Sequence, residues 1–184
     1  MSSPTHQERS WRRTFWPTGP LRGQFLMPSH LLSATESALV TFRGPEGPHE
    51  GIVFWGGREM EGITLFTTAV TPRAVHTRGS VRCDEAAIRE VVHALRPHGL
   101  GLLAQVHSHP GGDARHSDGD DSMILLPFEG MLSIVVPWYG RDGMHPLSSC
   151  GIHQFRRDAG YCVIKILTVS RWCRGWSTCD DKRA

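Results

Sequence analysis

The stretch Val106-His107-Ser108-His109-Pro110-Gly111-Gly112-Asp113-Ala114-Arg115-His116-Ser117-Asp118-Gly119-Asp120-Asp121 gathers imidazoles, hydroxyls and carboxylates directly behind an apolar run, Leu100 to Val106. If that run is a strand, residues i and i+2 share a face. His107 and His109 then present two imidazoles side by side, a sound pair for one metal ion. Pro110 ends the strand by removing a ladder donor, and the glycine-rich loop turns the chain back. Ser117-Asp118-Gly119-Asp120 opens the next helix, where a carboxylate in the first turn can point at the strand end. Two histidines and one carboxylate leave a fourth tetrahedral position for water, the pattern of a catalytic rather than a structural zinc. The count of 11 histidines in 184 residues makes a metal site worth seeking.

Other His-x-His chemistries fail on the residues that follow. The metallo-β-lactamase type wants Asp and His where Gly111 and Gly112 stand. The zinc deaminases need a Pro-Cys-x-x-Cys partner that this sequence lacks, and there is no His-Glu-x-x-His. The string instead resembles the JAMM motif of the MPN/JAB metalloproteases: His, Ser or Thr, His, seven residues, Ser, two residues, Asp, with a Glu upstream. His107-Ser108-His109, Ser117 and Asp120 meet every fixed position. The order of elements from Phe25 to about Phe155 is similar to that domain as well.

The resemblance implies one zinc ion per chain, held by His107, His109 and Asp120. Ser117 would donate to the oxyanion and an upstream Glu would act as the base. In the family this Glu precedes an early strand, often as Glu-x-x-Gly-x-Leu-x-Gly. Glu50-Gly51-Ile52-Val53-Phe54-Trp55-Gly56-Gly57 fits best, with Val53 and Trp55 departing from the pattern. The implied reaction is hydrolysis after the C-terminal glycine of a ubiquitin-like modifier, in maturation or deconjugation. The implied partners are that modifier, its conjugates and the cognate conjugation enzymes. Compact chains of this kind resemble those encoded with bacterial ubiquitin-like conjugation systems, some of them in antiviral defence. The other readings are a hydrolase of another peptide or sulfur-carrier fusion on the same fold, and a non-catalytic MPN scaffold. Gly56-Gly57 and Ile134 to Tyr139 are expected to flank the substrate groove.

The elements that must position these groups are legible as an α/β (mixed α+β) chain. The expected architecture is a single MPN/JAB domain: a central mixed β-sheet flanked by helices, with cytidine-deaminase-like layering. Residues 1–24 read as a flexible arm and 25–184 as the domain, with 161–184 a C-terminal extension. Phe25-Leu26-Met27 reads as a short strand, followed by a helix capped by Ser29 with Leu31, Leu32, Leu39 and Phe42 on one face. Gly44 to Pro48 breaks that helix. Gly51 to Trp55 and Gly62 to Val70 read as strands, with Gly56-Gly57 as the turn between them. Asp84 to Leu95 is the clearest helix, with acidic residues at the positive end of its dipole and a stripe of Ile88, Val91, Val92 and Leu95. Pro97 and Gly99 stop it, and Leu100 to Val106 is a central strand. Ser117 to Phe128 reads as a helix. Met131 to Tyr139, Leu147 to Phe155 and Tyr161 to Val169 follow as apolar segments.

Composition limits the alternatives. Lys+Arg 20 against Asp+Glu 18 gives a net charge of +2, which argues against a chain built to neutralise phosphates. No segment approaches the roughly 18 apolar residues of a membrane span, and no apolar signal segment opens the chain. The odd count of Cys 5, without a Cys-x-x-Cys pair, suits reduced thiols in a cytoplasm. His116 and Asp113 are expected to be solvated in the loop. Asp118 and Asp121 read as helix-start charges. His30, His49, His76, His93, His98, His145 and His153 receive no function. Trp172, Cys173, Trp176 and Cys179 read as a docked or floppy end.

Overall fold

The computed structural model describes residues 23–117, 119–120, 127–157 and 160–163. Nearly all of the expected arm, most of the helix expected after Ser117 and the tail beyond 163 lie outside the described residues. A short strand β1 (Gln24–Leu26) leads into helix α1 (Ser29–Leu39). The glycine-proline break that follows contains a small hairpin, β2 (Arg43–Gly44) and β3 (Gly47–Pro48). Next come β4 (Ile52–Met60), β5 (Ile63–Val70), a second small hairpin of β6 (Val75–Thr77) and β7 (Ser80–Arg82), and helix α2 (Glu85–Leu95). Strands β8 (Gly101–Ser108), β9 (Leu132–Val136), β10 (Gly151–Arg156) and β11 (Gly160–Val163) complete the described elements.

Seven of these strands form one sheet in the order β1-β5-β4-β8-β9-β10-β11. The β1–β5 and β8–β9 pairs are parallel and the others antiparallel, so the sheet is mixed, as expected. A helix covers each face. Leu31, Leu32 and Leu39 of α1 join Val53, Trp55, Val106 and Ile134 in one core cluster. Val91 and Leu95 of α2 join Ile52, Phe54 and Val81 in another. Successive residues of β4 therefore serve opposite cores, which is why the strand reads as an unbroken apolar run. The buried Trp55 indole N–H is satisfied by Thr35 Oγ1 at 2.8 Å. Among the described residues no helix is long and apolar enough to cross a membrane.

Local chemistry explains the boundaries and corrects several expectations. Asp84 caps α2, its carboxylate accepting from Ala87 N at 2.7 Å. Val92 falls off the stripe and is 45% exposed. Gly99, at φ 64°, ends the 3-10 turn that follows α2. Ser29 is not a cap: Pro28 holds that position and no side chain caps α1. The Met131 strand stops at Val136, before Pro137, and Leu147–Ser149 is a 3-10 turn rather than strand.

Gly56-Gly57 is not a turn. Both residues lie inside β4, and the reversal comes at Glu61-Gly62, whose φ values of 48° and 82° suit a two-residue hairpin loop. The glycines are required by close approach instead. A Cβ on Gly56 would sit 2.3 Å from Leu95 Cδ2, and one on Gly57 2.3 Å from the Leu65 carbonyl oxygen. The register shifts between Gly56 and Gly57 against β5, and between Trp55 and Gly56 against β8, which marks a bulge. Gly57→Ala should therefore cost about 1–3 kcal/mol, because the obstacle is backbone. Urea unfolding at fixed pH measures it, and an unchanged midpoint would refute the close-approach account.

Candidate metal centre

β8 runs through the middle of the sheet, paired to β4 and β9, and delivers its last residues at one end. His107 lies opposite Ile52 on one side and Val135 on the other. His109 is one step past the strand, but its N–H still donates to Val136 O at 2.9 Å. The two imidazoles therefore emerge on one face, with Nε2 atoms 3.2 Å apart. Asp120 returns from the loop to meet both. Its Oδ1 is 3.3 Å from His107 Nε2 and its Oδ2 3.1 Å from His109 Nε2. All three side chains are buried.

Ser117 sets the approach of Asp120. Its N–H and hydroxyl both donate to Asp120 Oδ2, at 2.6 and 2.9 Å, and Asp120 N donates back to Ser117 Oγ at 3.3 Å. This reciprocal arrangement is a capping box with Asp in the acidic position. The carboxylate that faces the histidines is thus held by the start of its own turn.

The donor set suits a cation. His109 Nδ1 lies 2.9 Å from Asp113 O, and a carbonyl can only accept, so Nδ1 carries a proton. With that tautomer, a neutral ring would aim its Nε2 lone pair at the space shared with His107 Nε2 and the Asp120 carboxylate. The three ligand atoms lie within 4.8 Å of one another. Two imidazole nitrogens and one carboxylate oxygen suit a zinc-type ion with an open position, and the carbonyl that fixes the His109 tautomer is the usual outer partner of such a ligand. Burial pushes the Asp120 carboxyl up, but His107 and His109 override it and hold it far below the usual range. Burial pulls His109 down, and Asp120, the Asp113 carbonyl and Glu50 outweigh it, so His109 is raised.

Glu50 is brought to the same place by a different part of the chain. It lies just before β4, is 6% exposed, and its N–H donates to Thr77 O at 2.9 Å. Burial raises its carboxyl to about 7, with His109 opposing the rise and Asp120 adding to it. Ser108 explains the placement. By alternation it points away from the flanking imidazoles, and its Oγ accepts from Gly51 N at 2.9 Å while its N–H donates to Gly51 O at 3.0 Å. The residue between the two histidines therefore locks the residue after Glu50. Gly51 must be glycine, since a Cβ would come 2.5 Å from the Phe42 ring. Behind Glu50, the buried His49 ring bonds Glu46 at 2.5 Å and His76 at 2.8 Å.

The structure thus brings His107, His109, Ser117, Asp120 and Glu50 together. It does not bring Gly56-Gly57 to the site. Gly56 pairs with Leu102, five residues back along β8 from His107, or about 16 Å at the usual strand rise. The far end of the Ile134 to Tyr139 segment does reach it, because Tyr139 N donates to His109 O at 2.8 Å. His116 is not solvated: it is wholly buried, its Nε2 lies 2.7 Å from Ser133 Oγ, and burial drops it to about 3. The Asp113 carboxylate pairs with Arg115 at 2.6 Å, and its backbone carbonyl is the part that matters to the site. His153 is also fully buried, and burial lowers it to about 2. The missed signal was the polar alternation of Gln105 and His107, Ser133, and His153 within otherwise apolar strands. Asp118 and Asp121 lie outside the described residues.

A mixed sheet with a helix on each face, and a His-His-Asp cluster at the end of its central strand beside a buried glutamate, is a JAB-type arrangement. Residues 32–146 match the family described as prokaryotic homologs of the JAB domain, and the chain belongs to that family. It is 33% identical over 137 residues to the "Probable metalloprotease y4jG" of Sinorhizobium fredii, covering 72% of this chain and 81% of that protein. It is 35% identical over 96 residues to the "Probable TtuB-protein conjugate cleaving protease" of Thermus thermophilus, covering 51% of this chain and 59% of that protein. The solution structure of protein DSY2949 from Desulfitobacterium hafniense superposes with a TM-score of 0.59 at 15% identity, over 77% of this chain and 93% of that one, a likeness of fold.

Two outcomes follow from this geometry. Ser108→Ala leaves the buried Gly51 N–H without its partner and should cost about 1–3 kcal/mol in chemical unfolding. For Glu50 the sign is set by its raised carboxyl, about 7 folded against 4.5 as the ordinary value. The folded state then binds the extra proton between those values, so stability falls as pH rises through them. Glu50→Gln, measured in chelator, should gain stability relative to wild type between pH 5 and 8, by as much as about 3 kcal/mol. A difference that stays flat with pH would show that Glu50 is not held protonated.

Proposed function

We propose that this chain is a zinc-dependent peptidase of the isopeptidase kind, cleaving after the C-terminal glycine of a ubiquitin-like modifier during precursor maturation, deconjugation or both. The observation that carries the reading is the buried His107, His109 and Asp120 cluster with the Glu50 carboxyl beside it, raised to about 7. The names of the two relatives support it, one as a metalloprotease and one as a protease acting on TtuB-protein conjugates. We assign residues 25–184 to one catalytic domain, with 161–184 as its extension, acting in the cytoplasm on the modifier and its conjugates, with the cognate conjugation enzymes as further partners. A place in an antiviral conjugation system belongs to the same proposal. Nucleic acid and membrane are not among the partners.

His107, His109 and Asp120 would hold the ion. Bound zinc supplies Lewis acidity, which makes water nucleophilic near neutral pH and polarises the scissile carbonyl. Glu50 takes the proton of the attacking water and passes it to the departing amine, a task suited to a buried carboxylate held beside the cluster. Ser117 Oγ–H donates to the oxyanion of the tetrahedral intermediate. In the resting site that single proton is given to Asp120, so Ser117 must turn it toward substrate. An extended glycine tail suits the approach, since only glycine lets its backbone lie that close, and such tails bind by adding to a sheet edge.

The test is cleavage of ubiquitin-like proteins fused through their C-terminal glycine to a reporter, followed by gel shift. Wild type should cut after the glycine, stop in chelator and recover with zinc. Glu50→Gln should keep one zinc per chain and lose about 10²-fold or more in rate. A zinc-loaded protein that cuts other peptides but no such fusion would move the substrate elsewhere. A protein with neither zinc nor cleavage would be a scaffold.

A further inference from the structure

Beneath the three ligands lies a second buried polar group that the chemistry above does not use. Gln105, Ser133 and His153 stand opposite one another on β8, β9 and β10. By strand alternation this row shares the face that carries His107. All three are buried, and Gln105 Nε2 donates to Ser133 Oγ at 3.0 Å. The loop from His109 to Asp120 lies across this row. At Gly151 it comes so close that a Cβ would fall 1.7 Å from the Ala114 carbonyl oxygen. Two residues on, His116 enters the sheet face, with its Nε2 2.7 Å from Ser133 Oγ. Its ring centroid is 4.2 Å from that of His153 and 5.6 Å from that of His107, which it meets edge to face.

We propose that His116 is a positioning residue for the metal centre: wedged between the His107 ring and the Gln105-Ser133-His153 row, it holds the first ligand and the turn bearing Asp120 in one arrangement. This rests on the metal reading of His107, His109 and Asp120. The physical reason is the loop. Seven residues separate the second histidine from Ser117, and ordering such a segment at the moment of metal binding would cost conformational entropy. His116 sits one residue before the Ser117–Asp120 capping box, so anchoring it fixes the start of that turn. An apolar residue of similar size would fill the space but leave Ser133 without its bond to the ring, and the buried polar row would have to rearrange. His153 backs the His116 ring. It faces the Ser133 backbone, and among the described residues neither of its nitrogens has a partner in hydrogen-bond geometry.

The experiment uses the full chain as wild type, His116→Phe, Ser133→Ala and the double variant. Phe keeps a ring against His107 but cannot bond Ser133, and Ser133→Ala removes only the hydroxyl. Zinc affinity is read by competition with a chromophoric chelator, ligand geometry by the absorption spectrum of the cobalt-loaded protein, and folding by thermal unfolding in excess chelator. Each single variant should bind zinc about 10- to 100-fold more weakly and alter the cobalt spectrum. The loss in the double variant should fall short of the sum of the two single losses, because the His116–Ser133 bond is counted in both while Ser133→Ala also removes the Gln105 bond. The chelated proteins should still unfold in one cooperative transition, with a midpoint lowered by no more than the loss of the buried hydrogen bonds explains. Wild-type affinity and spectrum in both single variants overturns the proposal, as does a loss of affinity that only tracks a loss of stability. If His116→Phe does not fold, Ser133→Ala decides alone. A wild type that binds neither zinc nor cobalt would instead overturn the metal reading itself.

Discussion

The meeting of Asp120 with His107 and His109 is the interaction around which the rest of the molecule is arranged. A buried carboxylate is expensive unless it is paired, and two imidazole nitrogens facing one another at 3.2 Å need a cation or a proton between them. The fold meets that cost by rigidity. Both histidines hang from the central strand, which is hydrogen-bonded on either side and covered by a helix on either face. Ligands on such an element keep their geometry better than ligands on a free loop. Asp120 does arrive from a loop, and it is there that the additional fastening is concentrated: the capping box at Ser117, the close approach at Gly151 and the buried ring of His116.

Glu50 is fastened separately, and the same small hairpin serves both parts of the site. Its N–H is taken by Thr77 at the end of β6. On the opposite side Tyr139 gives its N–H to His109 O and its hydroxyl to Arg78 O, in the β6–β7 turn, at 2.8 Å each. Trp138 and Tyr139 adopt φ values of 56° and 57°, a left-handed conformation that bulky residues seldom take and that surrounding contacts must enforce. The Trp138 N–H donates to Gly111 O, and its ring lies so close to Gly112 that a Cβ there would come within 2.9 Å. Strain at this corner is thus exchanged for a tether between the ligand strand, the glycine loop and the hairpin that holds Glu50.

Much of this was legible in one dimension because the reasons are local. Two histidines at i and i+2 must share a face of a strand. Ser117 and Asp120 at i and i+3 can cap one another. Asp84 before an amphipathic run caps a helix. Gly56-Gly57 misled for an equally clear reason: a glycine pair satisfies a turn and a close approach alike, and only the Leu65 carbonyl and the Leu95 side chain reveal which one applies. His116 misled in the same way, because a histidine in a glycine-rich loop looks solvated until Ser133 is placed beneath it.

The sequence by itself determined the residue types of the candidate cluster, their spacing, the strand that delivers two of them and the mixed α/β class, since each follows from backbone periodicity and side-chain chemistry within a few residues. Tertiary structure alone decided what depends on partners distant along the chain. Ser108 holds Gly51 across the β4–β8 pair, and that pairing puts Glu50 beside the cluster and raises its carboxyl through burial. Gln105, Ser133 and His153 become one polar row only when β8, β9 and β10 are in register. Register is a property of the packed sheet: polar alternation within one strand marks which residues share a face, and only the pairing decides which residues of the next strand they meet.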